Sequence, residues 1–118
     1  MIFRVVLLAL TGALISCGDP DTHWKDGNYR VYSRSHSREI ILGYHKGDGG
    51  VLGLSEATVT AAGADEAHVV FRIDSSEHYY IVRNSNGEGT PIGPFARAEF
   101  ERLVEEGGLP AFEWHLQE

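Results

Sequence analysis

Few residues in this chain have side chains suited to chemistry. There is one cysteine, Cys17, and it cannot form a disulfide within the chain. A catalytic thiolate needs ordered, electropositive surroundings. Cys17 instead stands where an apolar run gives way to a polar segment, in "ALISCGDP". The six histidines are His23, His36, His45, His68, His78 and His115. None forms an HxH or HExxH pair, and no second thiolate exists to complete a zinc set. They read as surface or half-buried side chains, with no metal expected. The glycine-rich stretch from Gly43 to Gly53 fits neither phosphate-loop spacing and falls between strands rather than before a helix. No cofactor is expected. Paired carboxylates suit glycoside hydrolysis only inside a cleft that raises one pKa, and a small domain with one helix leaves little room for it. The residues therefore describe a protein that is not an enzyme.

Two charged clusters are candidate binding surfaces. Arg34, His36 and Arg38 share one face if extended, and five Lys/Arg against two acids lie between Lys25 and Lys46. Such a face suits a phosphate or an anionic headgroup. It equally suits an edge strand protected by charge from pairing with other chains. Glu99, Glu101 and Glu105, with Glu106, crowd a single predicted helix. They form either a solvated face or a surface for a basic partner, since complementary charge speeds and sorts association. The net charge of −7 argues against nucleic acid, whose phosphates need a basic surface.

The elements that hold these residues fall into three parts. Residues 1–16 carry one charge, Arg4, ahead of an apolar run from Val5 to Ile15. That is the length of a signal-peptide core and about half of the roughly 20 residues a membrane span requires. The four residues ending this run, Leu14-Ile15-Ser16-Cys17, resemble the lipobox of bacterial lipoproteins: Leu, a permissive position, a small residue, then Cys. The resemblance implies a diacylglyceryl group on the Cys17 sulfur and removal of residues 1–16. It also implies palmitate or a similar acyl chain at the new N-terminus, and a place in the cell envelope. Two or three chains make membrane release very slow, where one binds only marginally. Gly18 follows the cysteine where Asp is a common inner-membrane retention signal in Gram-negative lipoproteins, so the resemblance favours the outer membrane, facing the periplasm. Residues 17–23 read as a lipidated tether, polar and containing Pro20.

Residues 24–118 read as one domain, with 42% hydrophobic and 23% charged residues across the chain, the mix of a folded protein. Short strands are predicted over 28–33, 39–44, 51–54, 56–61, 67–73 and 78–83. The last two make the clearest hairpin, with Val69, Phe71 and Ile73 on one face. Pro94 suits the first turn of a helix whose apolar side is Phe95, Ala98, Phe100, Leu103 and Val104. Gly107 and Gly108 stop it. Phe112, Trp114 and Leu116 alternate, which suits either a closing strand or an extended arm. The expected fold is α+β: a small antiparallel meander with the C-terminal helix packed on one face, following a cleaved signal peptide.

In the second half, Tyr79-Tyr80-Ile81, Gly93-Pro94-Phe95 and Glu99-Phe100 resemble a pattern in small uncharacterised bacterial lipoproteins, over roughly 30 residues. No activity comes with that resemblance. The leading expectation is an acidic, membrane-anchored envelope lipoprotein that binds a protein partner, of inhibitor or immunity type. An envelope structural or assembly accessory and a small ligand-binding or hydrolytic domain are the alternatives.

Overall fold

The computed structural model describes residues 21–34, 38–47, 49–84 and 87–117. Cys17, the lipobox and His36 lie outside the described residues. Among the described residues the chain forms nine strands and one helix. The strands are β1 (Thr22–Asp26), β2 (Tyr29–Ser33), β3 (Ile40–His45), β4 (Val51–Gly53), β5 (Val59–Ala64), β6 (His68–Ile73), β7 (Glu77–Val82), β8 (Ile92–Phe95) and β9 (Trp114–His115). The helix, α1, is Arg97–Glu105.

The strands divide into two antiparallel sheets, where the sequence suggests a single meander. One sheet runs β1-β2-β3-β4 and the other β8-β7-β6-β5-β9. The physical reason lies in β6 and β7. Alternation in β6 sends Val69, Phe71 and Ile73 to one face and Val70 to the other, and both sets are buried. A sheet apolar on both faces needs a cover on each. The first sheet covers one face with Trp24, Tyr29, Val31, Ile40 and Leu42, which pack with Val59, Phe71 and Ile81 into the main core. The helix covers the other face through Phe100, which is buried with Val70 and Leu109. Each large apolar side chain so enclosed contributes about 1.5–3 kcal/mol. The molecule is mainly β, with its helix on the outside of the second sheet.

Local chemistry explains the details. Asp74, Ser75 and Ser76 turn the β6–β7 hairpin, since Ile73 pairs with Glu77. Asp74 takes a positive φ of 55°, a conformation that Asp tolerates better than most residues. Helix α1 ends as its glycines dictate: Gly107 has φ 83°. Its N–H donates to the Val104 carbonyl at 3.0 Å, and that of Gly108 to Leu103 at 3.1 Å. The i,i+4 pairs form on the wet side, Arg97 to Glu101 at 2.9 Å and Arg102 to Glu106 at 3.1 Å.

Several sequence expectations shift. Pro94 belongs to β8, and α1 starts only at Arg97. A proline is at home in β8 because that strand is a sheet edge, where a missing N–H leaves no ladder bond unmade. Ala98 points to solvent rather than completing the apolar face. Thr22 and His23, at the end of the predicted tether, are already strand. The strand expected at 56–61 runs instead as β5, from Val59 to Ala64. The tail does close the second sheet, with β9 pairing β5. Its alternation is broken at the entry, however: Phe112 packs beside the helix, while Trp114 and Leu116 turn into the main core. Gly63 permits this crossing. A Cβ there would lie 3.0 Å from the Phe112 Cα and closer still to the Ala111 carbonyl.

Candidate functional site

Among the described residues, a cleft of about 510 Å³ opens on the helix side of the second sheet. Three segments build it. Strands β6 and β7 supply Arg72 and His78 from their outward-facing positions, α1 supplies Arg97, Phe100, Glu101 and Glu105, and the C-terminal segment supplies Phe112 and His115.

Its floor is aromatic. Phe100 and Phe112 stack with ring centroids 5.3 Å apart and planes at 13°. His78 lies 4.9 Å from the Phe100 ring and 6.1 Å from the Phe112 ring. At 2% exposure it is the only buried polar or charged residue among those described. Its Nδ1 lies 3.3 Å from the Ser76 carbonyl oxygen. Burial pushes its pKa below the usual 6.5, against the pull of the Ser76 and Phe95 carbonyls, and the Arg72 and Arg97 cations lower it further. His78 is therefore a neutral imidazole at neutral pH and acts as part of the aromatic floor.

Arg72 is the fixed charge of the cleft. Its Nε donates to the Thr60 hydroxyl at 2.9 Å and its Nη2 to the Thr60 carbonyl at 3.5 Å. Its guanidinium carbon sits 5.6 Å from the Phe112 centroid, within cation–π range. Among the described residues no carboxylate pairs with it. At the rim, Arg97 is taken up by Glu101, and Glu105 is exposed with no ion-pair partner among the described residues.

A second cavity of about 410 Å³ opens where Leu54–Glu56 approach β6, β7 and β8. Its walls include Phe71, Tyr79, Glu56, Glu77, Pro91 and Pro94. Tyr79 donates its hydroxyl to Glu77 at 3.0 Å and stacks on Phe71 with planes at 7°. Burial, then the bond to Glu77 and the charges of Glu77 and Glu56, raise the Tyr79 pKa above 10.0. The phenol stays protonated and serves as a donor.

The structure divides the predicted binding residues between two ends of the fold. Arg34 and Arg38 flank the β2–β3 connection in the first sheet, both exposed, and Arg34 faces Glu39 at 3.7 Å. Glu99, Glu101 and Glu105 lie on α1, beyond the second sheet, and only Glu101 and Glu105 reach the cleft. The two clusters do not form one surface. Arg72 and His78 pair across the β6–β7 hairpin, whereas Phe112 joins them from the C-terminal segment, a contact that no local pattern announces. One signal for Arg72 was legible: in "HVVFRI" a long cation shares an alternating face with Val70, so that face had to be covered by something able to hold a charge.

Among the described residues, no group of three or more His, Cys, Asp or Glu converges on a point that would hold a metal. No described helix is long and apolar enough to cross a membrane. No protein-family model matches the chain, and searches of curated proteins and of solved structures return no match either.

Proposed function

We propose that this chain is a bacterial envelope lipoprotein, anchored through lipid on Cys17, whose folded domain binds a protein partner and performs no catalysis. The anchor rests on one observation, the Leu14-Ile15-Ser16-Cys17 sequence directly after an apolar run of signal-peptide length. Processing at Cys17 leaves a short tether and a domain that starts at β1. By the resemblance, Gly18 in place of Asp favours the outer membrane, with the domain in the periplasm.

The binding surface is α1. The helix lies on the outside of the second sheet, holds itself there through Phe100, and turns Glu99, Glu101 and Glu105 to solvent. Glu101 is partly neutralised by Arg97, whereas Glu99 and Glu105 have no ion-pair partner among the described residues. This arrangement supports recognition of a basic protein, as in an inhibitor or immunity role against a cationic secreted protein. Rim charges of this kind act mainly on the association rate and its salt dependence. The test is crosslinking and co-purification from detergent-solubilised membranes, comparing wild type with Glu99→Lys/Glu101→Lys/Glu105→Lys. The reading predicts a partner that wild type recovers and the triple variant loses. Recovery of the same proteins by both would contradict it.

A further inference from the structure

We propose that the cleft between α1, the outer face of β6–β7 and the C-terminal segment binds a small zwitterion with an apolar body, of the apolar α-amino acid class. This goes beyond the protein-partner reading and stands whether or not Cys17 is lipidated.

The argument starts from Arg72. It is half-buried, and Nε and Nη2 are both committed to Thr60. Nη1 has no hydrogen-bond partner among the described residues. A cation withdrawn from water without a counter-charge is costly, and the free Nη1 can donate a charge-assisted hydrogen bond to a carboxylate. Thr60 and the Phe112 ring hold the head group in place, so little side-chain freedom is lost when a carboxylate arrives. A ligand carboxylate supplies the charge the fold leaves out.

The rim has the opposite need. Glu105 is an exposed carboxylate with no ion-pair partner among the described residues, and it lines the same cleft. The neighbouring Glu101 and Arg97 compensate each other at 2.9 Å. Arg72 and Glu105 thus bring unpaired charges of opposite sign to one cleft. A molecule carrying a carboxylate inward and an ammonium outward satisfies both.

The same cleft has an apolar floor. Phe100 and Phe112 are stacked there, and His78 adds a third ring that carries no charge at neutral pH. Phe100 and His78 are already buried, so the area a ligand can cover is the part-exposed Phe112 ring and Val104; an aromatic or branched aliphatic side chain laid on these removes apolar area from water. The volume, about 510 Å³, falls in the usual range for small-molecule sites.

The experiment titrates the full-length chain in detergent micelles with L-phenylalanine, 3-phenylpropionate and 2-phenylethylamine, followed by calorimetry and by amide NMR shifts. The proposal expects saturable binding of L-phenylalanine at one site, with shifts at Arg72, Phe112 and Glu105. 2-Phenylethylamine, lacking the carboxylate, binds about ten-fold weaker. 3-Phenylpropionate, lacking the ammonium, binds about five-fold weaker, as befits a rim charge. Arg72→Gln abolishes the preference for the carboxylate, and Glu105→Gln abolishes the preference for the ammonium. Glu105 is exposed, so its variant folds and decides the matter even where Arg72→Gln does not. No binding of L-phenylalanine, equal binding of the three compounds, or an unchanged ammonium preference in Glu105→Gln would overturn the proposal.

Discussion

Arg83 and Asp26 join the two sheets of this domain: Nη1 of Arg83, just past β7, donates to Oδ1 of Asp26 in β1 at 2.7 Å. The same Nη1 donates to the Asp65 carbonyl at 3.0 Å, and the guanidinium lies 5.4 Å from the Tyr29 ring centroid. Tyr29 in turn donates its hydroxyl to the Glu88 carbonyl at 2.6 Å. One arginine thus ties the first sheet to the hairpin and loop of the second. The Arg83 side chain is only 23% exposed, so this pair is better shielded from solvent than an open surface ion pair.

Arg83→Ala is therefore expected to destabilise the domain by about 2 kcal/mol, from the lost charge-assisted hydrogen bonds and the cation–π contact. Arg83→Lys keeps the charge but not the planar fork and recovers only part of that. Urea denaturation of both variants checks the order. A midpoint for Arg83→Ala equal to that of wild type would show that the pair contributes nothing.

Gly63→Ala should free the C-terminal segment from β5. The added methyl needs the space held by the Ala111 carbonyl and the Phe112 Cα, both backbone atoms that cannot rotate aside. Overpacking of this kind costs about 1–3 kcal/mol. Hydrogen exchange would rise at Glu113 and Leu116, whose N–H groups bond the Ala62 and Thr60 carbonyls. Unchanged protection at those two amides would count against the account of this crossing.

His78 makes stability depend on pH in one direction. The unfolded chain takes up a proton near 6.5, while the folded chain resists doing so until a lower pH. Acidification below 6.5 therefore favours the unfolded state, by up to about 1.4 kcal/mol per pH unit from this group. Its surroundings agree: Arg72 on β6 and Arg97 on α1 both oppose a positive ring. His78→Gln should flatten the stability profile between neutral pH and the folded-state pKa. A profile with the same slope as wild type would assign the acid sensitivity to other groups.

Replacing Glu99, Glu101 and Glu105 together by Lys should leave the fold intact, because all three are exposed and Phe100 alone is the buried anchor of the helix. The expected stability loss is below about 1 kcal/mol, chiefly from the Arg97–Glu101 pair. Circular dichroism melting of the triple variant checks this before any change in partner capture is interpreted. A melting point lowered by tens of degrees would show that the acids also hold the helix in place.

What the sequence reveals here follows the range of the interactions involved. The β6–β7 hairpin was readable because alternation and the Asp74-Ser75-Ser76 turn are local. The helix end was readable because Gly107 and Gly108 determine it alone. Pro94 misled because the same residue suits a helix start and an edge strand, and only the neighbouring β7 decides between them. The two-sheet architecture was hidden for a similar reason. Val69, Phe71 and Ile73 read as one buried face, but that Val70 on the opposite face is buried too depends on α1, far away in the chain. The cleft was only half legible: Arg72 and His78 pair across the β6–β7 hairpin, but Phe100 and Phe112 join them only through the docking of α1 and of the C-terminal segment.

The central claim, a domain held at a membrane through Cys17, is tested most directly by metabolic labelling with palmitate followed by mass spectrometry of the mature N-terminus. The account predicts label on the wild-type chain, an N-terminal residue of lipid-modified Cys17, and loss of both label and membrane sedimentation in Cys17→Ala. A wild-type chain that keeps residues 1–16 and takes up no palmitate, or a Cys17→Ala variant still labelled and still pelleting with membranes, would contradict it.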